Sequence, residues 1–84
     1  MQISARVDYA LRAMTELAVA WDDDPTRLEK ADALATRQAI PARFLESILG
    51  QLRKAGLIVS QRGADGGYRL AVPPDRITVA DIIR

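Results

Sequence analysis

The sequence predicts a mainly α-helical domain carrying one small β-hairpin, and three observations predict it. Apolar residues recur at helical steps in successive segments. Two strand-like runs, 57–61 and 68–71, flank a stretch rich in glycine. Finally, 84 residues, 49% of them apolar, suffice for a single core and no more. A chain of this size buries only about 60% of its unfolded surface.

The first helix is the clearest element. Ile3, Val7, Ala10, Leu11, Met14, Leu17, Ala18 and Trp21 form one stripe at steps of three and four. Ser4 is placed to cap it. It should end at Asp22-Asp23-Asp24-Pro25, because proline disfavours helix in the residue before it. Three carboxylates at a helix C-terminus oppose the macrodipole, so they are expected in a solvated turn. The next segment supports two readings. Thr26 and Glu29 have capping-box spacing and could start a second helix. Alternatively, residues 27–29 form a short strand paired with the hairpin and the helix starts near Ala31, which is the preferred reading. Ala31, Leu34 and Ala35 give that helix a short buried face, ending around Arg37 or Gln38.

The third helix is expected over residues 41–55, with Pro41 at the first helical position, where its missing N–H costs nothing. Phe44, Leu45, Ile48, Leu49 and Leu52 should be buried. Ala42, Arg43, Glu46, Ser47, Gly50, Gln51 and Lys54 should face outward. Gly50 is either simply tolerated or permits close backbone approach, and Gly56 is a natural residue just past the helix. Gly63, Gly66 and Gly67 supply the hairpin turn, and Pro73-Pro74 ends the second strand. Thr78 with Asp81, and Ile77 with Ile82, have the spacings of a capping box and a hydrophobic staple, so a fourth helix should start at Val79. It has a well-formed start and little remaining length, which suggests a piece of a longer protein.

Composition removes several functions. The chain has no cysteine and no histidine. Disulfides, thiolate or imidazole metal sites, and serine or cysteine catalytic centres that need histidine are therefore excluded. The zero cysteine count fits a cytoplasmic protein. The N-terminus lacks signal-peptide character, and no apolar run approaches the roughly 20 residues of a membrane-spanning helix. Net charge is only +1, but it is unevenly distributed. Residues 1–36 hold four basic and seven acidic side chains, a net of −3. Residues 37–69 hold six basic and two acidic, a net of +4. Ten of the twelve basic residues are arginine, the side chain suited to bidentate contact with phosphate or guanine.

Residues 31–49 fit a helix-turn-helix. Small residues at Ala35 and Ala39 let the helices approach, Ala39 stands where such turns often carry glycine, and Ile40, Leu45 and Ile48 fill the space between. Followed directly by a hairpin with a basic tip, 62–67, this is the order of a winged helix-turn-helix: three helices, a wing of two or three strands, and the start of a fourth helix. In that arrangement the N-terminal half of the third helix enters the major groove of DNA. Arg43 can donate two bonds to guanine, Glu46 can accept from cytosine, and Ser47 can bond a base or a phosphate. Arg62, on the wing over 57–71, can reach the minor groove. Pro41, Ala42, Gln51 and Arg69 complete the candidate contact set. For any one of these charges, a solvated helix face is the competing explanation. The glycines are a poor nucleotide-binding loop, because they lead into a strand rather than a helix. Tyr9, Trp21 and Tyr68 are better explained as core or boundary residues than as a base-stacking platform.

These segments resemble the Rrf-two regulators, the group of IscR, NsrR and CymR. The resemblance rests on residues 1–14, 44–57, 62–71 and 77–83, and covers nearly the whole chain. It implies a homodimeric, cytoplasmic transcription factor, a repressor in most members, that binds a pseudo-palindromic double-stranded DNA operator. It assigns recognition-helix contacts to Pro41, Arg43, Glu46 and Ser47, and the wing contact to Arg62. It also implies that the long dimerisation helix and any cysteines holding an iron-sulfur cluster lie beyond residue 84, so these 84 residues hold no cofactor. Pro41 and Arg43 stand where relatives often carry serine, and Glu46-Ser47 where many have Glu-Gln, which implies an operator unlike that of the iron-sulfur members. Asp8 replaces an arginine common in the family. Two rivals are a winged helix that binds protein instead of DNA, and a small enzyme using the carboxylates at 22–24, where a solvated turn is the simpler explanation.

Overall fold

The computed structural model describes residues 4–83, so Ile3 of the expected first stripe lies outside the described residues. Helix α1 spans Ala5–Asp23, with Ser4 Oγ accepting a 3.2 Å bond from the Val7 amide, as an N-cap should. Its buried residues are Ala10, Ala13, Met14, Leu17 and Ala20. The stripe is thus rotated slightly from the expected one: Val7, Leu11, Ala18 and Trp21 flank it half-buried. The helix stops in the acidic turn. Asp24 accepts bonds from the Thr26 amide (2.9 Å) and hydroxyl (2.7 Å), and Asp23 pairs with Arg27.

Asp24 and Thr26 are thereby committed to the turn, so the capping box of Thr26 and Glu29 does not form. Helix α2 spans Ala31–Gln38. Ahead of it, Glu29 and Tyr68 exchange two backbone bonds of 2.8 Å each. The preferred reading of this segment holds in position, but the pairing is a single isolated bridge rather than a three-residue strand. Ala39 ends α2 in the left-handed conformation (φ 53°), a cost of about 1–2 kcal/mol to a non-glycine residue. Two bonds secure the turn there, Ala39 N to Thr36 O at 3.4 Å and Ile40 N to Ala35 O at 2.9 Å.

Helix α3 spans Ala42–Lys54. Pro41 is its N-cap rather than its first residue: its ψ of 130° is extended, and its carbonyl already accepts from the Leu45 amide at 3.0 Å. Leu45, Ile48, Leu49 and Leu52 are buried as expected, but Phe44 is 36% exposed. At 100° per residue Phe44 lies about a quarter turn from the centre of that stripe. Its ring packs edge-on against Tyr9 instead, with centroids 5.4 Å apart. Gly56 follows the helix at φ 82°.

Strand β1 (Ile58–Gln61) pairs antiparallel with β2 (Gly67–Leu70) in the register Ile58–Leu70 to Gln61–Gly67; β1 starts one residue later than expected, and β2 is shifted one residue earlier at both ends. A 3-10 turn at Pro74–Arg76, not foreseen from the sequence, leads to α4 (Val79–Ile83). The Thr78–Asp81 capping box forms in both directions, at 2.9 and 3.1 Å. Ile77 and Ile82 pack on the core beside it. That core joins α1, α2, α3 and the hairpin. Leu17, Leu34, Leu45, Leu49, Ile58 and Leu70 are its largest fully buried side chains, each worth roughly 1.5–3 kcal/mol on burial.

Candidate nucleic-acid interface

Two structural features build the candidate surface. The first is the outward side of α3, where Arg43, Glu46, Ser47, Gln51 and Lys54 are all exposed and Gly50 is half-buried. A Cβ added to Gly50 would meet nothing within 4 Å, so no part of the chain requires glycine there. Pro41 and Ala42 stand exposed at the N-terminal end of the helix. Pro41 provides no side-chain cap, which leaves first-turn amides of α3 without helical partners.

The second feature is the hairpin tip. Here backbone packing makes two glycines necessary. A Cβ on Gly66 would sit 2.1 Å from the Gln61 carbonyl oxygen, and one on Gly67 would sit 2.7 Å from the Glu29 carbonyl oxygen. The tip is held down by Lys30, whose ammonium donates to the carbonyls of Ala64 and, at 3.4 Å, Gly66. Arg62 is exposed at the end of β1. Arg69 is half-buried, with its guanidinium turned back onto the Leu70 carbonyl at 3.3 Å.

Among the described residues, the carboxylate pairs lie away from this surface. Arg12 pairs with Asp8 at 2.8 Å, Arg27 with Asp23 and Glu29, and Arg37 with Glu16 and Glu29, each at 3.4 Å. Partial desolvation works against the charge on Arg37, but the two glutamates outweigh it and raise its pKa above the ordinary arginine value. Among the described residues Arg43, Arg53, Lys54, Arg62 and Arg69 have no carboxylate partner.

Sequence reasoning missed three contributors. Arg6, counted with the acidic N-terminal part, reaches across to α3: its Nε donates to Gln51 Oε1 at 3.1 Å and its NH2 to Ser47 Oγ at 3.3 Å. Its guanidinium lies 5.7 Å from the Phe44 ring centroid. Tyr9 supports Phe44, and Lys30 supports the wing. Nothing local in the sequence signals these roles, since each depends on how distant segments pack.

Residues 3–84 match the family described as Rrf2: Iron-dependent Transcriptional regulator. The chain belongs to the Rrf2 family. It is 45% identical over 84 residues to a putative HTH-type transcriptional regulator of Mycobacterium tuberculosis, covering 100% of this chain and 50% of that protein. Among solved structures, T. potens IscR superposes with a TM-score of 0.88 at 40% identity, covering 100% of this chain and 59% of that one. CymR of B. subtilis gives a TM-score of 0.87 at 40% identity, covering 100% and 63%. These likenesses establish the winged-helix fold of this Rrf2 chain. The chain spans about half the length of the curated relatives it matches.

The family description raises iron, and the donor set answers for these residues. The chain has neither cysteine nor histidine. Among the described residues no three Asp or Glu side chains gather where they could hold a metal ion. The residues present do not fit an iron or iron-sulfur site by themselves.

Proposed function

We propose that this chain is the DNA-binding part of a sequence-specific transcriptional regulator, a repressor that acts as a homodimer on a pseudo-palindromic operator in the cytoplasm. The observation that carries the reading is the run of exposed cations along α3 and the wing, Arg43, Lys54 and Arg62, without carboxylate partners among the described residues, in a fold where Arg12, Arg27 and Arg37 are paired. Unpaired cations are already free to exchange small counterions for phosphates, which is the main source of nucleic-acid affinity. The uncapped start of α3 adds backbone donors that suit a phosphate oxygen. Arg43 and Glu46 then read base edges in the major groove, and Arg62 contacts the adjacent minor groove or backbone. The names of the Mycobacterium and CymR relatives, both HTH-type transcriptional regulators, support the same reading.

A homodimer is supported by α4, where Val79 (59% exposed) and Ile83 (50% exposed) share one apolar face a turn apart. The rival, a winged helix docking onto protein, fits less well, because the outward side of α3 is polar and cationic rather than apolar. A salt titration against a pool of DNA duplexes tests the proposal. Affinity should fall steeply as salt rises, and an affinity independent of salt would sink it.

A further inference from the structure

We propose that Arg6, on α1, determines sequence specificity by fixing which hydrogen-bonding groups Ser47 and Gln51 offer to DNA. This inference rests on the DNA-reading assignment above and deepens it. Phe44, Ser47 and Gln51 lie at steps of three and four on α3, and the Arg6 side chain lies along them. The guanidinium is a donor only. It engages Ser47 through the hydroxyl oxygen and Gln51 through the amide oxygen. Each oxygen thereby spends one lone pair within the protein, and the guanidinium charge beside it opposes a second donor brought by DNA. Ser47 is left with its hydroxyl hydrogen, and Gln51 with its NH2 group, to present outward.

A surface biased toward donors at these two positions favours partners that accept. Phosphate oxygens, guanine N7 and O6, adenine N7 and thymine O4 all accept, whereas the major-groove edge of cytosine presents only a donor. Without Arg6, Gln51 could turn its amide to offer either end, and the serine oxygen could accept. Ser47 and Gln51 would then tolerate any base. Glu46, which only accepts when ionised, keeps the opposite preference beside them.

Arg6 is fixed well enough for this role. Phe44 packs under its guanidinium and stands at 88° to the Tyr9 ring. Arg12 lies over Tyr9 at 5.6 Å and donates to the Gln38 carbonyl at 3.2 Å, tying the group to the end of α2. Arg6 is a positioning residue here, since it acts through two other side chains.

The test is selection from a randomised duplex pool by the wild type and by Arg6→Met, followed by salt titrations on the selected duplex and on duplexes with cytosine at each selected position. The wild type should discriminate against cytosine where Ser47 and Gln51 read. Arg6→Met should lower that discrimination roughly ten-fold while preserving the salt slope and the preferences set by Arg43 and Glu46. Placed on a Ser47→Ala, Gln51→Met background, Arg6→Met should change nothing further. Equal weakening on every duplex with a salt slope smaller by about one would mark Arg6 as an ordinary phosphate contact and overturn the inference. A lower melting temperature with intact base preference would overturn it too, leaving Arg6 as a brace. If Arg6→Met does not fold, Arg6→Lys gives the same readings, since a single ammonium cannot hold both acceptors at the guanidinium's spacing. A wild type that selects no sequence removes the DNA reading along with this one, whereas a wild type and variant that select equally well remove this one alone.

Discussion

The α1–α2 side and the α3–wing side of this molecule carry arginines in similar number but treat them differently. On the first, Arg12, Arg27 and Arg37 each face a carboxylate within 4 Å, while Arg6 reaches across to Gln51 and Ser47 of α3. On the second, Arg43, Arg53 and Arg62 face none among the described residues. Exposed ion pairs contribute only about 0–1 kcal/mol, so pairing does little for stability. Its main consequence is that a paired arginine meets a second anion with its charge already offset. A weak overall charge of +1 therefore conceals one surface that is electrostatically committed and one that is open.

The largest expected effect breaks this comparison directly. Reversing the open side, Arg43→Glu with Arg62→Glu, should weaken DNA binding by at least about 30-fold, taking roughly 1–3 kcal/mol per specific arginine contact, with little change in melting temperature. Reversing the committed side, Arg27→Glu with Arg37→Glu, should leave binding within a few-fold while costing about 1 kcal/mol or less per pair in stability. Binding titrations and thermal melts of both pairs check this, and similar losses of affinity in the two would remove the distinction.

A smaller effect concerns the support of the open side. Gly66→Ala places a methyl carbon where the Gln61 carbonyl stands, so the hairpin tip must rearrange. We expect about 1–3 kcal/mol of destabilisation and a loss of affinity confined to the contribution of Arg62. A double-mutant cycle of Gly66→Ala with Arg62→Ala measures it: coupling should be strong, and strict additivity would mean that the tip does not position Arg62.

The smallest effect sharpens the account of the committed side. The hydroxyl and then the amide of Thr26, with help from Arg27, hold the Asp24 carboxyl below its ordinary value of 3.8. Because the folded value is depressed, the stabilisation is present above the unfolded pKa and is lost as pH falls through the folded one. Thr26→Val should move the Asp24 titration, followed by NMR, back toward 3.8, and should lower stability at neutral pH, where the hydroxyl's contribution is fully present. An unchanged titration would show that the threonine hydroxyl does not matter there.

Much of the fold was legible in the sequence because its signals are local. Ser4, the Thr78–Asp81 pair and Gly56 act within a few residues of themselves, and each forms the cap or turn that its chemistry implies. The buried stripe of α3 was legible for Leu45, Ile48, Leu49 and Leu52, where periodicity alone points inward, and failed for Phe44 at its edge. At an edge position, burial depends on the neighbouring helix rather than on spacing. The candidate contact residues on α3 were readable as an outward polar face for the same reason.

By itself, then, the sequence determined the order of elements, their caps, the facing of each helix and the concentration of positive charge on residues 37–69. Tertiary structure alone decided which charges are neutralised, that Lys30 holds a wing tip 34 residues away, and that Arg6 meets Ser47 across 41 residues. The physical reason is that periodicity defines a face relative to its own helix axis. The angle and offset at which two axes pack come from how their side chains interlock, and no spacing within one helix encodes them.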